Sequence, residues 1–285
     1  MTGPQIVEAV DGDVAYFAAR RCKDEHDRAL WFQVAEVAPK GVWVAKDVDT
    51  PIGIAIPHKM DDEWFLSELF VEPGFRCQGI AAELLSAAAG PQSDATRSGM
   101  LDPKEPGGLA FFAQRAVPIR EPVLSISGEI PREEALLKMA AGEHRFQTEK
   151  IEIEHHRTAL DALDREVRGC ARILDHEYFA RHAHGVAFYL RDEFVAYAYV
   201  WPSGRIGPLA TASATYAVQL LAFALATLKQ VHEASWCAML VPGSNVRTLR
   251  AAMRANLKID VLQLFASDGT TGDLSRYIGL HSLLF

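Results

Sequence analysis

Glu68-Leu69-Phe70-Val71-Glu72-Pro73-Gly74-Phe75-Arg76-Cys77-Gln78-Gly79-Ile80-Ala81-Ala82-Glu83-Leu84-Leu85 is where the chain changes period. Trp64 to Val71 reads as a strand, and Glu72-Pro73-Gly74 is the turn signal that ends it. Beyond the turn, Ile80, Leu84, Leu85 and Ala88 fall on one helical face, and Gly90-Pro91 supplies a stop. The stretch is therefore strand, tight loop, helix. A helix start leaves N–H groups unpaired and pointing outward, which suits an anion such as a pyrophosphate. Gly79 lacks a Cβ and Ala81 is small, so the backbone there is approachable. Arg76 offers a cation and Gln78 a neutral donor.

Working outward, Gln5 to Ala9 reads as a short strand and Asp13 to about Arg28 as one helix. Gly41 to Ala45 and Ile52 to Ile56 make a β-hairpin around the acidic turn Lys46-Asp47-Val48-Asp49. Downstream lie a strand at Arg97 to Leu101, a helix over Gly108 to Arg115 and a strand at Pro122 to Ser127 that completes the first half. Charged residues and a short helix, Arg132 to Ala141, join this half to the next. The second half repeats the order without the residues. A strand at Ile151 to His155 precedes helices at Thr158 to Leu174 and Glu177 to His182. Strands follow at Val186 to Leu190, Phe194 to Val200 and Arg205 to Leu209, then an alanine-rich helix, Thr215 to Val231. A strand at Ser235 to Val241, a helix over Val246 to Ala255 and a strand at Lys258 to Phe265 close the pattern. Two copies of one α+β plan are expected, each a mixed, mostly antiparallel sheet flanked by helices. The boundaries read as 1–130, a linker at 131–150, and 151–285.

The stretch from Glu68 to Leu85 resembles the core of the acyl-CoA N-acyltransferase (GNAT) superfamily, whose pattern is a strand, then [RQ]-x-x-G-x-[GA], then a helix with paired leucines. The likeness covers about eighteen residues of the 285, with the right context on both sides. It implies acetyl-CoA as cosubstrate. Backbone groups of Leu69, Phe70 and Val71 would pair with the pantetheine arm as an added strand. Arg76, Cys77, Gln78, Gly79, Ile80, Ala81 and Ala82 would hold the pyrophosphate. It also implies direct attack of an uncharged amine on the thioester. Amines like that of lysine have a pKa near ~10.4, so a base is needed at neutral pH, and Glu68 is the local candidate. A glutamate on an exposed strand face equally needs no catalytic reason.

The first half departs from the family pattern downstream. Aligning Ala110 to Arg115 sets Phe112 where relatives carry the tyrosine that protonates the leaving thiolate, and Glu105 where they carry Asn. Tyr16 is the only tyrosine in that half, so a phenolic acid would come from the second half or be dispensed with. Ile206-Gly207-Pro208-Leu209 and Val241-Pro242-Gly243-Ser244-Asn245 resemble the degenerate C-terminal repeat of tandem GNAT proteins. There the expected loop reads Ala210 to Thr215 without glycines, and its Ser and Thr residues read as helix caps. Tyr197 and Tyr199 share a strand face, so one of them could reach a pocket. His155, His156, His176, His182 and His184 match no common zinc spacing and read as solvated, so no metal is expected.

A net charge of -8 and a pI near 5.7 argue against a general nucleic-acid or anionic-membrane binder. Cys22, Cys77, Cys170 and Cys237 form no C-x-x-C pair, and the start of the chain has no signal-peptide pattern, so a soluble cytoplasmic protein is expected. The expected activity is N-acetyl transfer to a small-molecule amine. A non-catalytic acyl-CoA binding or sensing module is the alternative, and a purely structural repeat is the third reading.

Overall fold

The computed structural model describes residues 3–38, 41–61, 63–89 and 96–285; the stop expected at Gly90-Pro91 lies outside them. The chain divides into two compact units, Met1–Met100 with Ser282–Leu284, and Leu101–His281 with Phe285.

In the first unit β1 (Gln5–Glu8), α1 (Asp11–Arg21), α2 (Glu25–Glu36), β2 (Trp43–Asp47), β3 (Thr50–Met60) and β4 (Glu63–Val71) lead to α3 (Ile80–Ala89) and β5 (Thr96–Leu101). The strands lie in chain order, antiparallel up to β4 and parallel between β4 and β5. The single helix expected over Asp13 to Arg28 is two helices. Asp24 divides them: its carboxylate accepts the Asp27 N–H at 2.8 Å and so starts α2, while Cys22 is already extended. An Asp inside an apolar-periodic run acts as a cap because its side chain competes with the helix for backbone donors. α3 covers the sheet with Ile80, Leu84 and Ala88 against Ala45, Ile52, Ala55 and Val71. It lies close because β3 carries Gly53 under it, where a Cβ would come within 3.1 Å of Leu84 Cδ1 and 3.0 Å of the Phe70 carbonyl.

The second unit begins with α4 (Pro106–Gln114), β6 (Ile119–Glu129) and α5 (Glu133–Ala140). It continues with β7 (Gln147–Lys150), α6 (Ile153–Val167), α7 (Ile173–His182), β8 (His184–Leu190), β9 (Glu193–Val200), β10 (Ile206–Thr211), α8 (Ala217–His232), β11 (Trp236–Pro242), α9 (Val246–Arg254), β12 (Lys258–Ser267) and β13 (Tyr277–Ile278). From β7 to β12 the order of strands and helices repeats that from β1 to β6. One group of strands runs β13-β10-β9-β8-β7, and a second places β6 between β12 and β11. The strand expected at Ile151 to His155 is displaced: β7 comes earlier, and Ile153 already starts α6. β7 is the edge strand Gln-Thr-Glu-Lys, exposed throughout, and so carries no apolar alternation to betray it. β6 also differs from expectation, since its partners are β11 and β12 of the second copy. Among the described residues no helix is long and apolar enough to cross a membrane.

Candidate functional site

β4 builds the site by losing a neighbour. It pairs with β3 over its whole length, but Glu68 faces Ile56 while Leu66 faces Pro57, leaving Ser67 as a bulge. Its pairing with β5 runs only from Glu63↔Thr96 to Leu66↔Gly99. Past the bulge, Glu68, Leu69, Phe70 and Val71 are therefore paired on the β3 side alone among the described residues, and the other edge presents backbone N–H and C=O groups. Ser67 donates its hydroxyl to the carbonyl of Leu283 at 2.7 Å, which ties the segment Ser282–Leu284 to the bulge.

The loop after β4 winds through a short 3-10 helix, Pro73–Phe75, and then takes two left-handed residues, Cys77 at φ 62° and Gly79 at φ 86°. A Cβ on Gly79 would meet nothing nearer than Glu83 Oε1 at 3.9 Å, so the space over this residue is open. Ala82 and Glu83 are the first N–H groups bonded back into the helix, both to the Gly79 carbonyl. The N–H groups ahead of them belong to the helix start, which has no carbonyls of its own to offer. Arg76 does not extend as a bare cation: its Nε donates to the Val71 carbonyl at 3.0 Å and ties the loop to the end of β4. Gln78 and Cys77 are exposed, and Gln78 donates to the Gly74 carbonyl at 3.4 Å. Ile80 is buried and anchors α3.

Glu68 lies at the head of the unpaired edge with 15% of its side chain exposed. Burial raises its pKa, and the Arg21 guanidinium and the Leu69 N–H bring it only part of the way back. Arg21 Nη2 donates to Oε1 at 3.4 Å, and its guanidinium lies over the Phe70 ring at 4.6 Å. α1 sets this up through residues four apart, because Phe17 packs edge-on against Phe70 and Arg21 follows one turn later on the same face. The next residue, Cys22, has its thiol pushed up to about 11 by burial and by Asp27, so it stays protonated. Sequence reasoning missed Arg21. The Phe17/Arg21 spacing was readable, but not the strand it meets.

Phe112 is buried on α4, and Glu105 precedes that helix without a side-chain capping bond. Tyr197 and Tyr199, whose shared strand face left a pocket within reach of one of them, are both strand core, fully buried within the second unit. The Tyr197 hydroxyl donates to Asp164 Oδ1, and Tyr199 shares a 2.9 Å hydrogen bond with His176 Nδ1. His176 Nε2 lies 2.8 Å from Asp164 Oδ2, with Arg172 Nε at 3.5 Å from the same oxygen. His156 is buried too, so these two histidines are core residues and not the solvated ones expected. The Ser213 and Thr215 hydroxyls bond each other at 2.8 Å, and α8 starts after Tyr216 without a side-chain cap. By contrast Asn245 does cap α9, accepting the Thr248 N–H at 3.2 Å. Among the described residues no three potential metal-ligating side chains come together.

Residues 11–98 match the model of the acetyltransferase (GNAT) family. No curated protein matches the chain in sequence. Among solved structures, a Pyrococcus horikoshii protein described as a "Putative Acetyltransferase" is similar over 100% of this chain and 96% of its own, at 16% identity and a TM-score of 0.74. A tandem GNAT protein from the clavulanic acid biosynthesis pathway covers 94% of this chain and 98% of its own, at 14% identity and a TM-score of 0.64. A GCN5-related N-acetyltransferase from Sphaerobacter thermophilus covers 99% and 98%, at 12% identity and a TM-score of 0.62. Residues 11–98 thus resemble the GNAT-family model, and the chain has, over its length, the fold of tandem GNAT proteins.

Proposed function

We propose that the chain is an N-acetyltransferase that moves an acetyl group from acetyl-CoA to the amine of a small molecule. The observation that carries this reading is the continuity of the unpaired β4 edge with an open, small-residue helix start. A polar, strand-like arm ending in an anionic pyrophosphate fits those two features in that order. Leu69, Phe70 and Val71 would pair with the arm through their backbone, and residues 76–82 would hold the pyrophosphate. Bound acetyl-CoA supplies an acyl carbonyl joined to a good leaving group, its thiol pKa lying near that of cysteine, ~8.5.

Glu68 then takes the proton of the acceptor ammonium, directly or through one water. The freed lone pair forms the C–N bond as the C–S bond breaks. Phe112 has no proton to give, so the departing thiolate takes one from solvent in this scheme. That same residue favours the second reading, a module that binds acyl-CoA without transferring the acyl group. Calorimetry with acetyl-CoA followed by a thiol-release screen over primary amines tests both. We expect one site per chain and release above the uncatalysed rate with at least one amine. Saturable binding with no release from any amine would leave only the binding module.

A further inference from the structure

The pair Arg21–Glu68 makes a receptor for a zwitterion. From its place, we propose that the acceptor is an α-amino acid, its carboxylate taken by Arg21 and its amine presented to Glu68. This rests on the transfer reading above and names the acceptor class for the same site.

The argument starts from a conflict. A base that must receive a cationic ammonium is poorly served by a guanidinium 3.4 Å away, which repels the incoming charge. Removing Arg21 would seem to help, yet the fold holds it there on purpose-built packing: Phe17 on Phe70, then Arg21 on the same ring at 4.6 Å. The conflict disappears if the acceptor brings its own anion. A guanidinium carries five N–H donors in a planar fork that fits a carboxylate bidentately. Among the described residues Arg21 makes one hydrogen bond, the long one to Glu68, and 39% of its side chain is exposed. The fork therefore has donors left for a ligand. An α-amino acid carries its ammonium and its carboxylate on the same carbon, and Arg21 and Glu68 present the opposite two charges 3.4 Å apart. A bare amine would meet the repulsion without the compensation, and a dicarboxylate would meet Glu68 with the wrong sign.

The nearby groups leave this pair in charge of the site's polarity. Cys22 is held as a neutral thiol by burial, and Asp27 spends one carboxylate oxygen on the Lys23 N–H at 3.1 Å.

The test titrates the full chain, with coenzyme A present, with the twenty common L-α-amino acids and their decarboxylated amines by calorimetry. The same pairs are then run as acceptors by thiol release with acetyl-CoA. At least one amino acid should bind roughly tenfold or more tightly than its matched amine, as a charge-assisted pair predicts. That ratio should collapse toward one in Arg21→Ala and be partly restored in Arg21→Lys, with melting temperatures checking the fold. Should Arg21→Ala fail to fold, Arg21→Gln takes its place. The inference is overturned if no amino acid outbinds its amine, or if the preference survives in a well-folded variant lacking the guanidinium. The binding arm stands apart from turnover. Amino-acid preference without thiol release keeps Arg21–Glu68 as a zwitterion site but removes the acceptor role together with the transfer reading, and release from amines without preference overturns this inference while keeping the transfer reading.

Discussion

At the scale of single residues the site turns on how Glu68 is held. Its active form as a base is the carboxylate, which is lost as pH falls through its pKa. Because burial raises that pKa, the acid limb of kcat/KM should lie above the ordinary glutamate value of ~4.3. Arg21 works in the opposite direction, so Arg21→Ala should move the limb higher still. A limb at the ordinary carboxylate position, unmoved by that change, would take Glu68 out of the role. Glu68→Gln should bind acetyl-CoA normally and lose on the order of 10²–10⁴ in transfer rate. The strand holding Glu68 and the loop after it were legible because alternation, Pro-Gly and helical period are local signals. Arg21 was not, because its meaning comes from a partner forty-seven positions along the chain.

At the scale of elements, the start of α3 and the cap of α2 make separate predictions. A side chain on Gly79 must adopt φ 86° and fill the open space above the loop. Gly79→Trp should therefore weaken coenzyme A binding measured by calorimetry while the fold persists. Glu83, in the first turn beside Gly79, is the charge that works against an anion there. Glu83→Gln should tighten coenzyme A binding several-fold at low salt, and less at high salt, as screening removes the repulsion. Asp24→Ala should cost about 1 kcal/mol, read as a lowered melting temperature, since the Asp27 N–H loses its acceptor. Asp24 also shows why one helix was expected where two exist: the apolar spacing runs through it, and only the extended turn at Cys22 makes it a cap.

For the whole molecule, the second unit is organised around a buried polar network. Asp164 is fully buried, yet it is held ionised: burial works to raise its pKa, and His176 and Arg172 more than reverse this. A depressed carboxylate pKa contributes stability above the unfolded value of ~3.9 and loses it as pH falls through the folded one. Asp164→Ala should thus cost ~3–5 kcal/mol at neutral pH by removing the buried carboxylate that His176, Arg172 and Tyr197 share, with the deficit shrinking in acid. Equal melting temperatures for parent and variant at pH 7 would contradict this. None of the network was legible beforehand. Two tyrosines on one strand face say that a direction is shared, not whether that direction is solvent or core.

The position of β6 sets a timetable for biosynthesis. It is translated with the first copy, but Glu129 pairs with Trp236 and Ser127 with Lys258, both more than a hundred residues downstream. At about 5–20 residues per second, the ribosome leaves this strand without either neighbour for on the order of ten seconds. During that time Val123 and Ile126, buried in the finished protein, have no second-copy strand to cover them. The nascent chain consequently holds β6 without either partner strand until Trp236–Pro242 has emerged.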